Sequence, residues 1–191
     1  MRTDLELLGA WRDGDIAAGD ELVSRHWASI SRFFRAKVGD DGADLISQTF
    51  LACVESKDKI EGDNIKAYLF GVARRRLADH LRKRVRAPAI DFTVSSLVDL
   101  ATGPATAVAR RQRSELLRDG LARIPLDDQI ALELSYFEAM STREIADVLE
   151  IPENTVRSRL SRAREKLRAA LAELATPDEA ALVESQLDER G

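Results

Sequence analysis

Residues 141–167 have the sequence STREIADVLEIPENTVRSRLSRAREKL, which predicts two helices of different character. Ser141 is followed three residues later by Glu144, a capping-box pattern that predicts a helix starting at Thr142. The short sequence EIP then ends this helix, and Pro152 suits the first turn of a second helix. Apolar residues of the second helix recur at steps of three or four and predict one apolar seam: Val156, Leu160, Ala163, Leu167 and Leu171.

Two helices of about eight and twenty residues joined by a tight turn match a helix-turn-helix, whose second helix enters the major groove of DNA. Arginine near the start of such a helix can bond guanine twice, and Asn, Ser and Thr suit adenine edges or phosphates. Residues 152–171 hold six Lys or Arg and two acids, in a chain whose net charge is −4. The alternative to DNA binding is that these basic residues form a solvated face on a helix with a purely structural role. The cap, the turn and the short polar residues at the helix start favour DNA binding over it.

The composition favours helices over sheets, and the 191 residues suffice for one large domain or two small ones. A single cysteine, Cys53, excludes an internal disulfide and a thiolate metal cluster, and its apolar surroundings predict a buried side chain. No apolar run approaches the roughly 20 residues that span a bilayer. The first residues are amphipathic and acidic rather than a signal peptide, so we expect a soluble, cytoplasmic protein.

The charge is distributed unevenly along the chain. Residues 66–86 hold eight Lys or Arg and one Asp, a net of +7, and residues 152–171 have a net of +4, so the rest of the chain carries −15. The first basic segment begins with two aromatic residues, Tyr68 and Phe70. Basic grooves with exposed aromatic rings suit single-stranded nucleic acid. The helical spacing of Phe70 fits a core position equally well.

The apolar spacing of residues 1–87 predicts successive helices, with a turn at residues 39–42. Gly14 and Gly19 are expected to interrupt the pattern. Three groups of side chains are predicted to face the core. They are Leu5, Leu8, Trp11, Leu22, Val23, His26, Trp27, Ile30, Phe33, Phe34 and Val38, then Leu45, Ile46, Phe50, Cys53 and Val54, and then Leu69, Val72, Ala73, Leu77 and Leu81.

The remaining residues complete an all-α organisation of two small helical domains. Residues 88–107 hold two prolines, a glycine and many small polar residues, which predict a flexible linker. Residues 108–174 form the second predicted helical domain, which carries the helix-turn-helix. Residues 175–191 are an acidic tail, and its sequence is compatible with a short terminal helix or with a disordered segment.

Four segments of this chain resemble segments of the bacterial RNA polymerase sigma factors of the extracytoplasmic-function (ECF) type. The start of that family's domain 2 resembles GDIAAGDELVSRHWASISRFFRAKV, its polymerase-binding helix resembles ADLISQTFLAC, and its promoter −10 helix resembles AYLFGVARRRLADHLRKR. Domain 4, which recognises the −35 element, resembles IPLDDQIALELSYFEAMSTREIADVLEIPENTVRSRLSRAREKLRAAL. The four segments follow in the same order over about residues 13–171. Domain 2 would then be residues 1–87 and domain 4 residues 108–174.

The resemblance implies a protein that binds core RNA polymerase and directs promoter-specific initiation, with roles for three sets of residues. Polymerase contact is implied for Asp44, Leu45, Gln48 and Phe50. Contact with the −10 element is implied for Lys66, Tyr68, Arg74, Arg75, Arg76, Asp79, Arg82 and Lys83. Contact with the −35 duplex is implied for Arg143, Asn154, Thr155, Arg157, Ser158, Arg159, Ser161 and Arg162. Members of the family are commonly held inactive by an anti-sigma factor, and the resemblance allows for such a partner here.

Three positions depart from the common family pattern. Tyr68 stands where Trp is common, Arg75 where Asn is frequent, and Asn154 where Gly is frequent. These departures concern the promoter sequence that is recognised rather than the class of protein.

Two other functions are compatible with parts of the sequence. A helix-turn-helix regulator that binds its operator without polymerase explains the C-terminal domain, but it gives no role to ADLISQTFLAC or to the first basic segment. A helical adaptor protein with basic docking faces would explain the two basic segments but no other feature of the sequence. An enzyme is not expected, because no nucleophile, metal or phosphate-loop spacing occurs; no cofactor is expected either. His26 and His80 are predicted to be core or interfacial residues rather than catalytic ones.

Overall fold

The computed structural model describes residues 1–60, 64–85 and 107–176, and all regular secondary structure in these ranges is helical. The predicted all-α fold class is therefore confirmed. The chain divides into two compact units, Met1–Ser95 and Ser96–Gly191. The predicted linker, apart from the first residue of a helix, and the predicted tail beyond residue 176 lie outside the described residues.

The first unit is built around its second helix, which is long and contacts the other three helices. Its helices are α1 (Asp4–Arg12), α2 (Ile16–Val38), α3 (Gly42–Ser56) and α4 (Ile65–Val85). In the core, Phe33 packs edge-to-face on Phe34 and on Phe70, with ring centroids 5.4 and 5.6 Å apart. Phe70 is only 2% exposed, so it is a core residue and not a stacking platform for nucleic acid.

The prediction that Gly19 interrupts the helical pattern was wrong. Gly19 lies inside α2, where a Cβ atom would come within 2.5 Å of the Trp11 indole nitrogen. Its role is therefore to let α1 approach α2 closely. Gly14 does interrupt the pattern, because it forms the turn between α1 and α2 with a φ of +103° that side chains rarely adopt.

Three side chains predicted to face the core are exposed: Leu5, Trp27 and Val54. Leu7 is buried instead of Leu5, and the two lie about 200° apart around the helix axis. Val54 follows the buried Cys53 by one residue, about 100° around the axis, which carries it away from the core. Two further predicted core residues, Val23 and Leu81, are only partly buried.

The second unit is built around its last helix, which contacts each of the other three. Its helices are α5 (Ala107–Ala122), α6 (Leu126–Tyr136), α7 (Thr142–Leu149) and α8 (Glu153–Leu174). The predicted apolar seam of α8 is confirmed, because each of its five residues is at most 5% exposed. Gly120 of α5 allows close packing on this seam, since a Cβ there would come within 2.9 Å of Leu171.

Local interactions define the start of α7 and the turn between α7 and α8. Both arms of the predicted capping box are present: the Glu144 amide donates to Ser141 Oγ at 3.3 Å, and the Ser141 amide donates to the Glu144 carboxylate at 2.6 Å. Glu150 ends α7 in the left-handed conformation with a φ of 57°. Pro152 precedes α8 as its N-cap, one residue earlier than predicted, and its carbonyl accepts from the amides of Thr155 and Val156.

Candidate nucleic-acid and protein interfaces

One side of α8 is neutralised by α6. Arg159 lies 3.3 Å from a carboxylate oxygen of Asp127, and Lys166 donates to Asp128 at 2.6 Å. Arg164 donates to the Tyr136 hydroxyl at 2.6 Å. Three of the six basic side chains of this helix therefore serve the packing of the second unit. Arg159, one of the predicted −35 residues, is among them.

The opposite side of α8 carries the polar residues of the predicted −35 set. Arg157 and Arg162 are exposed, as are the shorter residues Asn154, Ser158 and Ser161, and Thr155 is half-buried. Arg162 Nε donates to the Ser158 carbonyl one turn earlier at 3.2 Å, which directs its stem along the helix. Seven of the eight predicted residues, including the exposed Arg143 of α7, are thus accessible to a partner.

Glu153 links the two helices of the helix-turn-helix and was missed by the sequence reasoning. One of its carboxylate oxygens accepts from Thr142 Oγ1 at 2.7 Å and from a terminal nitrogen of Arg157 at 2.8 Å. Both hydrogen bonds lower the pKa of Glu153 below its ordinary value, and the bond from Thr142 has the larger effect. The sequence signal was a Glu four residues before an Arg at a helix start.

The exposed face of α4 carries most of the predicted −10 residues. Five of these side chains are exposed and the other three are half-buried. Asp79 and Arg82 form an exposed pair at 2.9 Å. Arg84 donates to Asp41 at 2.8 Å and so ties the end of α4 to the start of α3. The exposed residues are Arg75, Arg76, Asp79, Arg82 and Lys83, and the half-buried ones are Lys66, Tyr68 and Arg74.

The predicted polymerase-contact residues of α3 divide into two surface residues and two core residues. Asp44 is exposed and Gln48 is half-buried, and the Gln48 amide donates to the Asp44 carboxylate at 2.5 Å. Leu45 and Phe50 are 5% and 6% exposed, so they face the core. Two of the four side chains are therefore accessible without a change in the fold.

Other apolar side chains are exposed beside these residues. Trp27 of α2 stacks on Phe50, with ring centroids 5.4 Å apart and planes 14° from parallel, and it remains 47% exposed. Leu51 and Val54 of α3 are 56% and 45% exposed. We call Asp44, Gln48, Trp27, Leu51 and Val54 the α2–α3 surface. Sequence reasoning missed Leu51, whose only signal was an apolar residue off the core stripe.

The two histidines and the cysteine have structural surroundings. His26 is buried, with Nε2 2.7 Å from an Asp4 carboxylate oxygen, and Cys53 is 2% exposed, which confirms the prediction for the thiol. Burial raises the pKa of Cys53 to about 11. His80 is partly exposed, with Nε2 3.8 Å from Asp41.

Within residues 1–60, 64–85 and 107–176, no group of three or more His, Cys, Asp or Glu side chains is placed to hold a metal ion. None of the helices in these ranges has the length and apolar character needed to cross a membrane.

Two family models match this chain, one in each unit. The model of sigma-70 region 2 matches residues 22–87, and the model of sigma-70 region 4 matches residues 114–167. The two matches together include the whole of α3, α4 and α7 and most of α8. Because sigma-factor similarity extends to both units, the regulator that acts without polymerase is left without support.

Known relatives agree with these matches. The ECF RNA polymerase sigma factor SigL of Mycobacterium tuberculosis (strain H37Rv) is 31% identical over 158 residues, which are 80% of this chain and 88% of that protein. The RNA polymerase sigma-H factor of Pseudomonas aeruginosa is 27% identical over 183 residues, 90% of this chain and 95% of that protein. A solved structure of the sigma factor RpoE in complex with the anti-sigma factor NepR from Bartonella quintana has the same fold, with a TM-score of 0.66 and 22% identity over 80% of this chain and 96% of that one. The chain therefore belongs to the ECF sigma factors of RNA polymerase, which direct transcription initiation at promoters.

Proposed function

We propose that this sigma factor acts in the cytoplasm, without enzymatic activity, through three separate contacts. The α2–α3 surface binds core RNA polymerase, α4 contacts the −10 element, and the start of α8 contacts the −35 duplex. The observation that carries this proposal is the division of basic residues on α8, whose packing side is neutralised by α6 while Arg157 and Arg162 stay exposed. The proposed domain limits are residues 1–87 and 108–174, with a linker at 88–107 and a tail at 175–191.

At the −35 element, α8 presents arginines and short polar residues over its first turns. Arginine paired with guanine discriminates against a wrong base by about 1–3 kcal/mol, while Ser and Thr hydroxyls suit either bases or phosphates. Arg143 adds a cation from α7. Arg159 is left out of this proposed set because its guanidinium lies against Asp127. The proposed −35 residues are Arg143, Asn154, Thr155, Arg157, Ser158, Ser161 and Arg162.

At the −10 element, α4 offers exposed cations and one accessible aromatic ring, Tyr68. Stacking of a base on an aromatic side chain contributes roughly 1–3 kcal/mol, whereas separating DNA costs about 1.4 kcal/mol for each base-pair step. A helix with a single accessible ring cannot open several base pairs, so the polymerase must contribute to opening. The net charge of −4 also predicts weak promoter binding by the free protein.

At the polymerase, the α2–α3 surface combines a polar pair with three exposed apolar side chains. Clustered exposed apolar residues mark protein interaction sites, because a partner that covers them removes apolar surface from water. Full burial of one such side chain contributes about 1.5–3 kcal/mol, and these half-exposed side chains would gain roughly half of that. Leu45 and Phe50 support this surface from inside, and Phe50 does so by stacking under Trp27. Since RpoE has been crystallised with an anti-sigma factor, we also propose an anti-sigma partner for this chain, which would cover the same surface.

Co-elution with core polymerase and run-off transcription test the proposal together. The template is DNA from the region upstream of the protein's own gene, and the test variant is Leu51→Glu combined with Val54→Glu. Burying two carboxylates in an apolar interface is strongly unfavourable, so we expect loss of co-elution and of transcript. Leu5→Glu is the matched control, because Leu5 is a similarly exposed leucine of the same unit, at 51%.

The wild-type chain and the Leu5→Glu control should both co-elute with core polymerase and yield the same transcript. A wild-type chain that does not bind core polymerase would overturn the proposal. Equal loss of binding in the control and the test variant would remove the α2–α3 surface from it.

A further inference from the structure

The carboxylate of Glu153 joins three parts of the helix-turn-helix. Glu153 is the first residue of α8, and Thr142, which donates to it at 2.7 Å, is the first residue of α7. Arg157, which donates to the same oxygen at 2.8 Å, lies one turn along α8 on its exposed side. A single oxygen atom therefore fixes the start of α7 and the direction of an exposed guanidinium.

Arg157 is held at one end only. Its side chain is 66% exposed, and Glu153 engages one terminal nitrogen. In the part of the chain that the structure describes, Arg157 makes no second hydrogen bond or ion pair. A guanidinium has two pairs of parallel N–H groups, and a single acceptor oxygen uses one N–H of one pair, so the other pair is left for a ligand. Two parallel N–H groups are what arginine uses to bond guanine or a phosphate twice.

An acid at this position is unfavourable for general DNA affinity. Glu153 is close enough to Arg143 and Arg157 to interact with both charges, so it offsets part of the positive potential that attracts phosphates. An acid in the first turn does stabilise a helix by interaction with its dipole. That effect requires no contact with Arg157, and Asp at the same position would supply it as well.

We propose that Glu153 is a positioning residue for −35 recognition, which holds the Arg157 guanidinium in the orientation that bonds a base pair. This inference rests on the proposed contact between α8 and the −35 duplex. Ordering a long side chain before binding reduces the entropy lost on binding, and it restricts Arg157 to one base pair instead of any nearby phosphate. Glu153 thus lowers affinity for DNA in general and raises discrimination between sequences.

The test measures discrimination rather than affinity alone. The full-length chain is assembled with core polymerase and incubated with duplex promoters from the region upstream of its gene, in which the −35 region is randomised. Bound and unbound DNA are sequenced for the wild type, Glu153→Ala, Glu153→Gln, Arg157→Ala and Arg162→Ala. Glu165→Ala is the control, since Glu165 is an exposed acid of the same helix and its removal changes the net charge equally.

We expect Arg157→Ala to lose preference at one base pair by about tenfold. Glu153→Ala should lose preference at the same base pair by about twofold, because the Glu153–Arg157 pair is exposed. Because a released Arg157 can contact phosphates, Glu153→Ala should also make the salt dependence of non-specific binding steeper, by about 0.9 in slope. Glu153→Gln keeps the acceptor oxygen and should retain part of the preference. Glu165→Ala should keep all of it.

Three outcomes would overturn the inference, and they differ in what they say about the proposed function. If Arg157→Ala loses a base preference and Glu153→Ala behaves like Glu165→Ala, Glu153 has no positioning role although α8 does read the duplex. If neither Arg157→Ala nor Arg162→Ala changes any preference, the proposed −35 contact fails and the inference fails with it. A uniform loss of affinity in Glu153→Ala with an unchanged preference would show a purely structural role.

Discussion

The two units of this sigma factor expose different kinds of side chain. Among the residues that the structure describes, every large apolar side chain that is exposed lies in the first unit: Met1, Leu5, Ile16, Trp27, Leu51 and Val54. In the described part of the second unit, the exposed surface has no such residue. The second unit is thus suited to a polar, charged partner such as duplex DNA. The first unit presents both a basic helix and an apolar surface, so it is suited to DNA and to protein.

The two basic helices also differ in how their charge is used. On α8, Arg159, Arg164 and Lys166 bond to α6, which leaves a narrow exposed polar face. On α4, cations remain exposed over several turns. Similar densities of Lys and Arg in the sequence therefore correspond to a narrow recognition face in one unit and a wide contact surface in the other.

The largest effect should come from removing exposed cations of α4. Arg76→Ala combined with Lys83→Ala should weaken promoter binding by holoenzyme about tenfold at physiological salt, because two phosphate contacts are lost. The salt dependence of binding should become shallower by about 1.5 in slope. Filter binding or fluorescence anisotropy over a range of salt concentrations measures both quantities.

A single substitution on another helix serves as the control for this experiment. Arg35→Ala removes an exposed arginine from α2, and its salt slope should match that of the wild type. If the α4 double variant keeps the wild-type slope, α4 makes no phosphate contacts, and the wide basic surface has another use.

A smaller effect should separate the two sides of α8. Arg164→Ala removes a 2.6 Å hydrogen bond to the Tyr136 hydroxyl and a cation–π contact at 5.7 Å, so the free energy of unfolding should fall by about 1–2 kcal/mol. Arg162→Ala should change it by less than about 0.5 kcal/mol, because Arg162 is exposed. Urea unfolding of both variants under the same conditions measures the difference.

Promoter binding should show the reverse order for these two variants. Arg162→Ala should weaken binding of the −35 duplex by holoenzyme, whereas Arg164→Ala should leave it at the wild-type level below the unfolding transition. Equal effects of the two variants on stability would contradict the division of α8 into a packing side and a recognition side.

The smallest effect concerns a buried residue of the first unit, in contrast to its exposed contact surfaces. Cys53 is 2% exposed, and burial raises its pKa from 9.0 to about 11, so the native thiol should react with iodoacetamide far more slowly than the unfolded one at neutral pH. Ionisation of the thiol should leave stability unchanged below pH 9. Stability should then fall as the pH rises from 9 towards 11, because the unfolded chain loses this proton first. Rapid labelling of the native protein would contradict the buried position.

The features that were predicted correctly from the sequence depend on neighbours in the chain. The capping box at Ser141 and the seam that begins at Val156 follow from spacing within one or two turns of helix. The sorting of arginines on α8 could not be predicted in the same way. Arg159 and Arg162 are three residues apart and chemically identical, and only the acids of α6 distinguish them.

The remaining differences between the sequence predictions and the structure have a similar origin. Gly19 was expected to break a helix. Its actual role depends on a contact with Trp11 of another helix, which the spacing within α2 does not show. Phe50 was expected both in the core and at the polymerase, and the spacing within α3 could not show that Trp27 of the neighbouring helix covers its ring. Glu153 was missed because the role of its carboxylate depends on Thr142, which belongs to another helix.

The stacked pair of Trp27 and Phe50 gives this protein a built-in optical label. The chain has only two tryptophans, and Trp11 is 9% exposed while Trp27 is 47% exposed. Indole emission moves to shorter wavelength when water around the ring is displaced, so the spectrum of Trp27 reports whether the α2–α3 surface is covered. With Trp11→Phe the emission of this chain comes from this surface alone, and docking of a partner without tryptophan can be followed in real time without attaching a dye.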